Sequence, residues 1–137
     1  MSSQNFDFLR PPFDPSLAEE ATWAEGHVHG DPGAAVWRLR VFAERAVASI
    51  YLLRKLPRPL RADLYDCLQE EAFRQSVPAV VIDKLDLLRV RGNRAAHGDS
   101  FRAAEALQLL REAFDVATWL HLAVTKRCSV GAARPPE

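Results

Sequence analysis

The chain has only two cysteines, one methionine and six glycines in 137 residues. Cys67 and Cys128 stand far apart and form no CxxC unit, which argues against a disulfide framework and fits buried free thiols in a reducing compartment. No run approaches the ~20 apolar residues of a membrane span. The opening MSSQNFDFLRPPFDPS also lacks the apolar core of a secretion signal, so the expected location is the cytoplasm, with no membrane partner. An excess of one charge is missing too: Lys plus Arg and Asp plus Glu both number 18. No whole-molecule field draws the chain onto a polyanion, and any nucleic-acid contact must come from a local basic patch. Internal repeats are absent, and no alternation of apolar and polar residues is long enough for a strand.

What remains is helical periodicity. With 48% hydrophobic and 26% charged residues, a chain of this length buries the core of one ordinary globular domain. Pro11, Pro12 and Pro15 keep the start extended or turning, and Phe6, Phe8, Leu9 and Phe13 are expected to pack on the body as an arm. Ser16 and Glu19 form a capping box that opens a first helix ending near His27. His27 and His29 flank its exit. Two possible ligands with no third in view read as surface or capping histidines, so no metal and no cofactor is expected.

Asp31 followed by Pro32 is an N-cap with proline at the first helical position. The second helix runs to about Lys55, with Ala35, Leu39, Phe42, Ala46, Ile50 and Leu53 at three- and four-residue steps. Arg40 and Glu44 have the spacing of a helical ion pair. Pro57 and Pro59 break the chain, and Leu60, Leu64, Cys67, Leu68 and Phe73 predict a short third helix ending near Arg74. A fourth starts at Pro78, carries Val81, Ile82, Leu85 and Leu88, and is expected to stop at Gly92 and Asn93. Asp99 or Ser100 then caps a last helix from about Phe101 to Arg127. His121 lies on its apolar stripe and reads as a seam histidine. The expected fold is all-α, an antiparallel bundle of about five helices. Residues 1–15 form the arm, 16–127 the bundle and 128–137 a flexible tail or linker, as in one module of a longer protein.

One segment carries chemistry. LLRVRGNRAAHGDS brings Arg89, Arg91 and Arg94 together with Asn93 and His97. Guanidinium groups are permanently charged forks that match phosphate, and an imidazole moves protons near neutral pH. In metal-free RNA cleavage a base takes the 2′-hydroxyl proton and cations offset charge on the transition state. Arginines beside a helix C-terminus are also favoured there by the helix dipole alone, so residue types leave the structural and phosphate-handling readings both open.

The order of residues is more specific. Arg91 to His97, R-G-N-R-A-A-H, resembles the R-x(4–6)-H motif of the HEPN superfamily of small helical bundles. The resemblance implies a metal-independent ribonuclease whose site is completed across a homodimer. His97 would be the acid/base, Arg91 the phosphate-binding group, and Asn93 would shape the site. The segments NFDFLRPPFDPSLAEEA, DPGAAVWRLRVFAERAV, LDLLRVRGNRAAHG and ATWLHLAV also look like the HEPN-like domain of unassigned function at the N-terminus of type I restriction-enzyme R subunits and related helicases. That likeness implies an accessory module that assembles with a restriction endonuclease or helicase, or with itself, and contacts RNA or DNA phosphates through Arg89, Arg91 and Arg94. In its pattern, L-R-x-x-G-N-x-A-x-H, the regular arginine lies two positions before Arg91, so Arg89 and Arg91 compete for the role.

Overall fold

The computed structural model describes residues 5–9, 13–59 and 63–133, with side chains through residue 124. Its elements are helical: α1 (Pro15–His27), α2 (Pro32–Leu53), α3 (Leu64–Gln69), α4 (Glu71–Ser76), α5 (Ala79–Ala96) and α6 (Ala103–Ala133). The all-α bundle is as expected, with one more helix than the sequence pattern suggested. The predicted third helix divides because Glu70 is extended, at φ −61° and ψ 132°, so its backbone closes α3 and opens α4. Leu60, assigned to that helix, lies outside the described residues, as do Pro11 and Pro12.

The helix ends follow from local chemistry. Asp14, not Ser16, caps α1: its carboxylate accepts the Ser16 N–H at 2.9 Å, with Pro15 at the first position. The Ser16 N–H holds the Asp14 carboxyl below its usual range. Asp31 caps α2 as predicted, accepting from the Ala34 N–H at 3.2 Å. At the far end of α2 the Leu56 N–H reaches the Tyr51 carbonyl at 2.9 Å. This closure puts Lys55 in the left-handed region at φ 55°, a position that favours glycine.

The largest departure concerns α5, which continues through Gly92 and Asn93 to Ala96. Gly92 serves packing rather than termination. It is buried, and a β-carbon there would meet the Arg40 β-carbon at 2.2 Å. The terminator is Gly98, at φ 94°, where Gly98 N–H bonds Ala95 O at 3.1 Å and Asp99 N–H bonds Arg94 O at 3.0 Å. The last helix starts at Ala103, two residues later than expected, because neither Asp99 nor Ser100 caps it. Instead Glu105 reaches back to the Arg102 N–H at 2.8 Å. α6 extends to Ala133, taking in part of the stretch read as a tail.

α2 is the hub, packed against α1, α5 and α6. Gly92, late in α5, meets Arg40 in the first half of α2, and Tyr51, late in α2, stacks at 5.3 Å on Phe73 of α4, just before α5 begins, so α5 runs antiparallel to α2. With Lys84 bonded to Glu112 and Arg91 bordering the same cleft as Ala104, α6 runs antiparallel to α5 in turn. The arm packs as expected: Phe6, Leu9 and Phe13 are buried, with Phe6 edge-on to both Phe42 at 6.2 Å and Phe114 at 5.7 Å. Each fully buried side chain such as Leu17, Leu39, Leu85 or Leu120 contributes about 1.5–3 kcal/mol. Among the described residues no helix is long and apolar enough to cross a membrane.

Candidate functional site

The arginines of the motif separate once they are placed on α5. At about 100° per residue, Arg89 and Arg91 lie roughly 160° apart around the helix, whereas Arg91 and Arg94 are about 60° apart and one turn removed. Asn93, four residues after Arg89, shares the Arg89 flank. One phosphate therefore cannot lie against both Arg89 and Arg91 of the same chain.

Their partners differ as well. Arg89 donates through Nε to Asp86 Oδ1 at 2.8 Å, and its guanidinium sits 5.0 Å from the centre of the Tyr65 ring. This places a neutralised, half-buried arginine at the junction of α5 and α3. Arg91 is half-buried and Arg94 exposed. Neither takes part in an ion pair among the described residues.

His97 is the C-terminal cap of α5 and is exposed. Its backbone N–H is shared between Asn93 O and Arg94 O, both at 3.1 Å. The imidazole makes no hydrogen bond or ring contact with the described residues. The turn thus fixes its backbone and leaves its ring open to solvent. Asn93 contributes its carbonyl to that turn, while its half-buried side chain points away from the Arg91 flank.

Arg91 borders a cleft of about 290 Å³ between α5 and α6, walled by Leu87, Phe101, Ala104, Glu105, Gln108 and Leu109. The sequence pattern marks Phe101 only as a helix start and does not reveal this cleft. Its one sequence signal is weak: an aromatic between Ser100 and Arg102, ahead of the apolar stripe of α6. A groove of about 600 Å³ lies where Asn5 and Phe6 meet α6. It presents Glu25, Glu112 and Asp115 against one guanidinium, that of Arg111, a balance that repels anions.

Of the histidines outside the motif, His29 is exposed, whereas His27 and His121 pack against aromatic neighbours. His27 stacks on Trp23 at 3.6 Å, with Nδ1 2.8 Å from the Trp23 carbonyl. Arg38 lies 4.4 Å from the centre of the Trp23 ring and pairs with Glu20 at 2.8 Å, riveting α1 to α2. His121 meets Phe8 edge-on at 5.2 Å, in keeping with a seam position. The described residues hold no group of three or more His, Cys, Asp or Glu placed to bind a metal.

Cys67 is buried, and burial pushes its thiol up against the opposing influence of Arg58, so it is a poor nucleophile. The side chain of Cys128 lies outside the described set. Comparison with models of known families, with curated proteins and with solved structures gave no match.

Proposed function

We propose that the chain is an accessory helical module of a restriction- or defence-type nucleic-acid enzyme, contacting the phosphate backbone through Arg91 and Arg94 beside His97. One observation carries this reading. Two guanidinium groups without acidic partners among the described residues share a flank of α5, and the second of them, Arg94, stands one turn before the open imidazole, while Arg89 is neutralised by Asp86 at 2.8 Å. Phosphate binding needs donors whose charge is not already spent. The likeness to the domain of type I restriction-enzyme R subunits supplies the enzyme class and the expectation of assembly with a nuclease or helicase, or with a second copy.

Fluorescence anisotropy of a labelled oligonucleotide across a salt series tests it. Arg91→Glu and Arg94→Glu should each weaken binding and lower the slope of log K against log[salt] by about 1. Arg89→Gln should leave both unchanged. Binding that survives reversal of Arg91 and Arg94 together would overturn the reading.

The exposed imidazole favours a second reading, a metal-independent endoribonuclease acting as a homodimer. In it His97 takes the proton of the ribose 2′-hydroxyl and Arg91 offsets charge at phosphorus, while a second copy completes the site. Cleavage of single-stranded RNA in chelator, lost in His97→Ala with the fold retained, is the expected result. Absence of cleavage by the parent chain removes it.

A further inference from the structure

The 290 Å³ cleft beside Arg91 is too small for a drug-sized molecule and comparable with the smallest ligand pockets. Its walls are mainly apolar. Leu87 and Leu109 line its sides, Phe101 supplies a half-buried ring, and the cationic group at its edge, Arg91, has no acidic partner among the described residues. Glu105 also borders the cleft, but its carboxylate is engaged by the Arg102 N–H at 2.8 Å and lies 3.8 Å from the Arg102 Nε. Gln108 donates its amide nitrogen to Glu112 at 3.2 Å and retains an amide oxygen as acceptor. An apolar cleft with an aromatic ring in its wall, one hydrogen-bond acceptor and one cation at the mouth describe the complement of a nucleobase joined to a phosphate.

We propose that this cleft binds one nucleotide unit, with its base between Phe101 and the two leucines and its phosphate on Arg91. The inference rests on the phosphate-binding reading of Arg91 and adds a base-dependent component to it. A paired base is stacked within its duplex and cannot enter, so the occupant is a free nucleotide or an unpaired nucleotide of a strand.

The test compares three labelled probes of equal length: a single-stranded oligonucleotide, its abasic counterpart and a duplex. Abasic strands keep the phosphates and lose the bases. The single strand should bind about tenfold more tightly than the abasic strand, the scale of one base stacked on an aromatic side chain.

Ala104 is exposed at the rim of the cleft, so Ala104→Leu obstructs the slot without touching charge or core. This variant should bring the single strand down to the abasic level and leave abasic binding as it was; Phe101→Ala should act in the same direction. Competition by a nucleoside monophosphate supports a free nucleotide as occupant, and base-dependent binding that resists it supports a nucleotide within a strand. Equal affinity for the single and abasic strands, both still weakened by Arg91→Glu, would overturn the cleft proposal while sparing the phosphate reading. No binding of any probe would overturn both.

Discussion

Gly92 of α5 rests against the side chain of Arg40 in α2, so closely that a β-carbon on the glycine would lie 2.2 Å from the Arg40 β-carbon. That distance is far inside van der Waals contact, and the atom opposite is the base of a side chain on a helix, which cannot swing away. Gly92→Ala should therefore push α5 from α2 and cost about 1–3 kcal/mol as overpacking, despite the better helix propensity of alanine. Urea denaturation reads the loss. The double variant Gly92→Ala, Arg40→Gly removes the clashing atom and should recover part of it. An unchanged midpoint for Gly92→Ala would mean that the helices cross less closely than described.

The two helix ends that close through a left-handed residue differ in how well the residue suits the turn. α5 uses Gly98 at φ 94°, whereas α2 uses Lys55 at φ 55°. A side chain in that region costs about 1–2 kcal/mol. Lys55→Gly should raise stability by up to about 1 kcal/mol, and Gly98→Ala should lower it by about 1 kcal/mol. Thermal melts of the two variants moving in the same direction would contradict the assignment.

Tyr51 gives the fold an alkaline limit. Its hydroxyl donates to the Cys67 carbonyl at 2.6 Å. Burial, reinforced by Cys67 and Glu70 and opposed by Arg58, pushes its ionisation up to about 12. In the unfolded chain the phenol ionises near pH 10. A group raised in this way stabilises the fold fully below pH 10, and that contribution drains away as pH rises from about 10 to about 12. Tyrosinate absorbance from Tyr51 should appear only toward pH 12, together with unfolding, and be missing from Tyr51→Phe. That variant should also lose about 1–2 kcal/mol at neutral pH by leaving the Cys67 carbonyl without its donor. Ionisation of Tyr51 near pH 10 in the folded protein would refute the buried placement.

Much of the fold is legible in the sequence because it depends on periodicity. Of the α2 stripe, Ala35, Leu39, Phe42, Ala46 and Ile50 are buried and Leu53 is half-buried at its end, and Asp31 with Pro32 marks the start of that helix correctly. The misreadings fall where one residue type serves two ends. Gly92 and Gly98 look alike in sequence, and only the approach of Arg40 tells a packing glycine from a terminating one. Asp14 and Ser16 are both cap formers, and Pro15 between them decides for Asp14, since proline favours the position just after the cap.

The candidate site was legible as a set of residues and not as an arrangement. Arg89, Arg91 and Arg94 are equivalent along the chain, and the helix then turns Arg89 toward Asp86 and Tyr65 and the other two elsewhere. The role of Phe101 is not legible in the sequence because Leu87 and Leu109, which line the same cleft, come from two different helices, a relation that no local pattern records.

Lys84 lies about two turns before Arg91 on α5, its ammonium bridging Glu112 and, at 3.2 Å, Asp115 of α6. Those carboxylates hold the ammonium in its charged form, and at the other end the short turn after His97 returns the chain directly into α6. The two helices are thus tied together on either side of the cleft, by charge at one end and by the chain itself at the other. Whatever enters beside Arg91 meets a gap bounded at both ends, so a two-ring purine and a one-ring pyrimidine should not be received alike.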